Sequence, residues 1–115
     1  MRHRKKTPKL GILTDHRKAL MRNMATSLTL EGKIKTTAAK AKALVSYYEH
    51  LITLVKRNEG MNAIRTVKRF LYTETAQKAF LAKLKTLTQP MGHLRVTKLG
   101  LRKGDNAEIS LIEFV

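Results

Sequence analysis

Between Ala41 and Val55 an apolar residue returns at every third or fourth position: Ala41, Leu44, Val45, Tyr48, Leu51, Ile52 and Val55. At the helical turn of about 100° per residue these side chains form one stripe, and such a stripe must be covered. The spacing therefore predicts a helix from Ala38 to about Arg57, capped by Thr37, as the element on which the rest of the chain packs.

The neighbouring segments supply the cover. Thr14 is read as the N-cap of a first helix with Asp15 in its first turn, and Gly32 as the left-handed residue that ends it after Glu31. Leu20, Met21, Met24 and Leu28 share its inner face, while Lys18, Arg22, Asn23 and Thr26 lie outward. Arg17 falls on the apolar side, where it either snorkels off the end or makes a partly buried hydrogen-bonded contact. Lys33-Ile34-Lys35-Thr36 alternates like a short strand with one face covered.

After the central helix, Asn58-Glu59-Gly60 separates it from a third, Met61 to about Leu71, with Ala63, Ile64, Val67, Phe70 and Leu71 inward. Thr73 caps a fourth that runs to about Thr86 and turns Ala76, Phe80, Leu81, Leu84 and Leu87 inward before Pro90 and Gly92 stop it. Leu94 and Val96, with Lys98 at the same spacing, alternate against Arg95 and Thr97. A turn at Lys103-Gly104-Asp105-Asn106 then leads to a last alternating run, which makes a hairpin. The expected class is α+β in two layers, in the order αβαααββ, with a two- or three-stranded sheet covered by helices on one face. No internal repeat or low-complexity tract interrupts it.

Charge decides what such a body does. Lys and Arg number 24 against 8 Asp and Glu, a net charge of +16 with a pI near 10.6. A chain that repels itself this strongly is expected to work bound to something densely anionic, and nucleic acid fits best because each phosphate contact releases condensed counterions. A membrane surface fits less well: no segment approaches the ~18 apolar residues of a span, and no helix pairs a broad apolar face with an all-basic one. An organelle transit peptide is disfavoured by Pro8 and Gly11 and by the lack of serine at the start. The chain has no cysteine, which removes disulfides, zinc ribbons and thiol chemistry.

The positive charge gathers at the start. Arg2, Arg4, Lys5, Lys6, Lys9, Arg17, Lys18 and Arg22 stand against the single acid Asp15, and the first dozen residues have too few apolar side chains to fold alone. Residues 1–13 are read as an extended basic arm and residues 14–115 as one domain. Lysine and arginine along the arm would neutralise phosphates in a groove of folded RNA, with arginine also able to stack on splayed bases. His3 and His16 flank it and could pair with phosphates or stack. Arg22 and Asn23 offer a phosphate contact and a contact to base edges or 2'-hydroxyls. Lys35, Thr36 and Thr37 followed by Lys40 and Lys42 set hydroxyls, amides and ammonium groups at a helix N-terminus, a ready anion site. Arg102 and Lys103 belong to a second cluster on the hairpin, where Asp105, Glu108 and Glu113 could absorb much of the charge in ion pairs.

Other chemistry finds no residues to carry it. His3, His16, His50 and His93 lack metal-ligand spacing, and the acids Glu31, Glu49, Glu59 and Glu74 fall singly. Neither a phosphate loop nor a nucleophile with a spaced base is visible, so no enzyme, cofactor, metal or small-molecule substrate is expected. Tyr48 on the apolar stripe is read as core, with Tyr47 and Tyr72 as boundary aromatics.

Five ordered stretches are also familiar: MRHRKK, DHRKALMRNMATSL, GKIKTTAAKAKAL, LITLVKR and RVTKLGLRKGDNAEISLIEFV. Together they span nearly the whole chain, which is similar to the bacterial large-subunit ribosomal protein seventeen family; residues 58–90 match only in length and helical character. The resemblance implies an α+β two-layer protein that binds large-subunit ribosomal RNA on the outer side of the subunit near the peptide exit tunnel, beside neighbouring ribosomal proteins, in the cytoplasm. Carried over residue by residue, its RNA-contacting motifs fall on Arg2, His3, Arg4, Lys5, His16, Arg17, Arg22, Asn23, Lys35, Thr36, Thr37, Lys40 and Lys42. This chain departs from the family at Ile12, where the family often has a basic residue, and at Leu94, where it often has an aromatic, so neither position is assigned an RNA contact. Two other classes are weighed against it: a free architectural nucleic-acid-binding protein or RNA chaperone, which shares the charge, and a nuclease or RNA-modifying enzyme.

Overall fold

A computed structural model describes residues 3–115. Four helices and three strands follow in the expected order: α1 (Thr14–Glu31), β1 (Lys33–Thr37), α2 (Ala38–Arg57), α3 (Met61–Phe70), α4 (Glu74–Leu84), β2 (Leu94–Leu101) and β3 (Glu108–Phe114). The strands form one antiparallel sheet in the order β1-β3-β2. The β2–β3 hairpin is thus joined along its β3 edge by β1, with Lys33 opposite Glu113 and Thr37 opposite Ile109. A register shift between Lys98 and Gly100 bends β2 away from its regular pairing.

The stripe on α2 organises the interior as its spacing requires. Leu44, Tyr48, Leu51, Ile52 and Val55 are buried with Ala25 and Leu28 of α1, Val67 and Leu71 at α3, Ala76 and Phe80 of α4, and Ile112 of β3. Tyr48, fully buried, is held edge-on to Phe80 and Phe114 with ring centroids 5.8 and 5.5 Å away. Its hydroxyl meets Thr29 Oγ1 at 2.6 Å, and that threonine hydroxyl donates to Ala25 O at 2.8 Å. Since Thr29 has one hydrogen to give, Tyr48 is the donor of the pair, and neither hydroxyl is stranded in the core. Burial pushes the Tyr48 phenol well above its usual range.

The helix ends are less uniform than their sequences suggest. Gly32 ends α1 at φ 80°, donating its N–H to Leu28 O, and Thr73 caps α4 by accepting from Ala76 N at 3.2 Å. Thr14, however, is not a cap: Leu13 holds the N-cap position of α1, and Thr14 is the first helical residue. Thr37 does occupy the N-cap of α2, but its side chain makes no capping bond. The fourth helix stops at Leu84, before the expected Thr86, with Leu87 still packed against the core beyond it.

The outward face assigned to α1 also needs correction. Thr26 is buried, 7% exposed, because its hydroxyl accepts the N–H of Tyr72 at 3.0 Å and thereby ties α1 to the α3–α4 junction. Arg22, one turn earlier, is half-buried at the same junction. The packing of α3 and α4 against this side was invisible in the period of α1 alone.

Candidate nucleic-acid interface

Residues 3–13 hold no helix or strand, in line with their composition, and most are exposed. They do not form a simple extended projection. At Leu10 (φ 57°) and Gly11 (φ 69°) the backbone enters the left-handed region, Ile12 N bonds to Lys9 O at 3.4 Å, and the chain turns back. Arg17 Nη1 donates to the same Lys9 carbonyl at 3.4 Å, so this side chain ties the turn to α1. Of the two roles open to it, Arg17 makes a hydrogen-bonded contact, though the bond lies at the surface while the residue is half-buried. Lys6, Thr7, Pro8 and Leu10 thereby come beside Arg17, Lys18 and Met21 of α1 and Ala43, Ser46, Tyr47 and His50 of α2, around a cavity of about 440 Å³.

The fold thus brings the start of the chain, the first turns of α1 and one side of α2 together. His3, Arg4, Lys5, Lys6, Lys9, His16, Lys18 and Asn23 are exposed, as are Lys35 on β1 and Lys42 on α2; Thr36, Thr37 and Lys40 are half-buried. Arg2 lies outside the described residues. Because Thr37 makes no capping bond, the first amides of α2 are not consumed by a side chain at that end.

Arg22 has a different use. Its Nη2 donates to Lys68 O at 2.6 Å and to Leu71 O at 3.4 Å, where α3 ends, and its guanidinium lies 4.1 Å from the centre of the Tyr72 ring. It caps the carbonyls of α3, which have no partner in their own helix. Tyr47 stands nearby, its hydroxyl donating to Phe70 O at 3.2 Å; burial pushes the phenol up to about 12, against the opposing pull of the Arg22 charge.

On the hairpin the cations meet acids. Arg95 pairs with Glu113 directly across the strands at 2.9 Å, and Arg102 holds Asp105 through two hydrogen bonds at the turn. The Arg102 hydrogen bond, with the N–H of Ala107, keeps the Asp105 carboxyl down at about 2. Lys103 is exposed at the turn. Among the described lysines and arginines only Lys78, Arg95 and Arg102 pair with a carboxylate.

One polar cluster left no clear mark in the sequence. His93, 1% exposed, sets Nδ1 2.7 Å from Glu49 Oε2 and Nε2 2.9 Å from Gln89 O, while its backbone N–H reaches Glu49 Oε1 at 2.6 Å. Lys56 Nζ joins at Gln89 O, 3.0 Å away. The cluster fastens the start of β2 onto α2. Glu49, His93 and Lys56 belong to one network that joins residues far apart in the sequence. Lys83 is likewise engaged inside the protein, 3.6 Å over the ring of Phe114.

The fold and this surface define a small, strongly basic α+β protein in which most described cations are left unpaired by the chain itself. Residues 20–115 match the model of the family described as Ribosomal protein L17. The large ribosomal subunit protein bL17 of Desulfosudis oleivorans is 42% identical over all of this chain, which spans 56% of that protein's length. The bL17 proteins of Akkermansia muciniphila and Desulforudis audaxviator are 42% and 38% identical, with 85% and 96% of their lengths covered by 100% and 93% of this chain. The chain belongs to the ribosomal protein L17 family. That is a family of ribosomal proteins, not of enzymes.

Proposed function

We propose that this protein is a structural component of the large ribosomal subunit, bound to the large ribosomal RNA in the cytoplasm. The RNA-facing surface is built from residues 1–13, the first turns of α1 and the β1–α2 junction, on the body formed by residues 14–115. The observation that carries this reading is the imbalance of the ion pairs. A chain of net charge +16 pairs only three of its described lysines and arginines with carboxylates, and none of those three lies in the first third of the sequence.

The mechanism is cementing. Phosphates that crowd where RNA helices meet are neutralised by Lys5, Lys6, Lys9 and Lys18, whose ammonium groups act as point charges, and by the guanidinium of Arg4, which can grip a phosphate with two bonds. Lys35, Lys40 and Lys42 extend the surface to the N-terminus of α2, whose partial positive charge adds to theirs. Specificity comes mainly from the shape of the RNA rather than from base sequence. In this reading the surface lies on the outer side of the subunit near the exit of the peptide tunnel, with other ribosomal proteins alongside, as the family resemblance implies.

Fractionation of cell extract on sucrose gradients at moderate salt tests the assignment. The protein is expected to travel with large subunits; recovery only in the light fractions would overturn it and favour an exchanging nucleic-acid-binding protein.

A further inference from the structure

We infer that the half-open cavity lined by residues 6–10, α1 and α2 receives a single unstacked nucleobase of the bound RNA. The inference rests on the RNA-binding reading above and adds to it a ligand and a place. At about 440 Å³ the cavity is within the size range of small-ligand sites. Its deep residues are apolar: Met21 and Ala43 are 7% and 8% exposed. Tyr47 forms a fixed wall, since its hydroxyl is bonded to Phe70 O and its ring packs against that of Phe70 at 5.0 Å between centroids.

Pro8 and Leu10 also line the cavity, held beside α1 and α2 as the chain reverses at Leu10 and Gly11. Leu10 holds φ at 57°, a conformation that costs a non-glycine residue energy and that the surroundings must enforce. A strained residue thus holds one side of a cavity that is half open to solvent.

The lining joins this apolar interior to cations. Lys6 and Lys18 are exposed among the lining residues, Arg17 is half-buried, and no carboxylate lines the cavity among the described residues. An apolar slot with solvent-exposed ammonium groups in its lining matches a flat π-system attached to a phosphodiester: the base enters the slot and its flanking phosphates meet the lysines. An apolar protein side chain would fill the slot but would leave the exposed lysines of its lining without a counterpart.

The test uses the full chain labelled with 13C at its methionine and alanine methyl groups. It is titrated with octauridylate and with an abasic octamer of the same charge. Octauridylate is expected to shift the Met21 and Ala43 methyl signals, and the abasic octamer to bind without shifting them. Ser46 lines the cavity from an exposed position on α2, so Ser46→Trp should fill it without disturbing the core. That variant is expected to bind octauridylate roughly tenfold more weakly, the scale of one base stacked on an aromatic ring, and the abasic octamer unchanged.

If both oligomers bind and shift the two methyl groups equally, or bind without shifting them, the base pocket is wrong while RNA binding stands. If neither oligomer binds and ribosomal RNA also fails to bind, the RNA-binding reading falls and the pocket with it. A protein side chain found crosslinked into the cavity in the assembled particle would also overturn the pocket.

Discussion

The basic residues near the N-terminus and those of the β2–β3 hairpin have the same chemistry and different local company. On the hairpin, Arg95 faces Glu113 across the strands and Arg102 folds onto Asp105 three residues away. At the start of the chain, Lys5, Lys6, Lys9 and Lys18 have Asp15 as the nearest acid in sequence, and no carboxylate among the described residues pairs with them. The difference teaches that a cation is available to an outside polyanion only if the fold has not already given it a partner. A carboxylate within reach, across a strand pair or three residues along a turn, decides this; the number of lysines and arginines does not.

One body carries both regions, and α2 is what holds it together. Leu44→Asp would bury a charge at a fully enclosed position and should cost about 4 kcal/mol or more, enough to unfold the domain, as thermal melting would show. A soluble variant that still melts cooperatively would mean that α2 is not the common support.

Reversing charge in each region then sets the two against each other. Lys5→Glu, Lys6→Glu and Lys9→Glu together should weaken binding to a large-subunit RNA fragment by about a hundredfold or more at moderate salt. Arg95→Gln with Arg102→Gln should weaken it by no more than a few-fold. Equal losses in filter-binding titrations would erase the distinction.

Arg22 sharpens it further, as a basic residue in the N-terminal region that the fold has used. Arg22→Ala removes the donor from Lys68 O and Leu71 O and should lower stability by about 1–3 kcal/mol in urea unfolding. The salt dependence of RNA binding should be unchanged. A stable variant with a shallower salt slope would return Arg22 to the RNA surface.

The smallest effect concerns the hairpin pair. Asp105 has its carboxyl lowered from 3.8 to about 2 in the folded chain, so its favourable contribution is complete above the unfolded value and fades as pH falls towards 2. Asp105→Asn should therefore flatten the acid limb of stability slightly between those values. The pair is fully exposed, so the change is small, and melts recorded from about pH 5 down to about pH 2 would detect it.

The order of elements, the core face of α2 and the hairpin turn were legible because each is written in local period or turn chemistry. Gly32 and Thr73 showed their caps in the same way. Thr26 and Arg22 were misplaced on the outward face because one helix's period cannot show which other elements arrive on its flank. His93 looked ordinary for a related reason: its partner Glu49 is 44 residues away, and only the fold joins them. Of the candidate site, the concentration of charge was plain in the sequence. The turn at Leu10 was not, because leucine carries no signal for a left-handed backbone and only Gly11 beside it suggested a break.

Salt dependence measures most directly whether the unpaired cations at the start of the chain grip RNA. Binding of large-subunit RNA is compared across a salt series for the full chain and for a chain lacking residues 1–13, which contain Arg2, Arg4, Lys5, Lys6 and Lys9. The truncated chain should keep its fold, since no described residue before α1 belongs to the hydrophobic core, and should bind severely more weakly. Removing these phosphate-binding cations should make the slope of log K against log salt shallower by roughly 4. A truncated chain that binds with the affinity and slope of the full one would contradict the account.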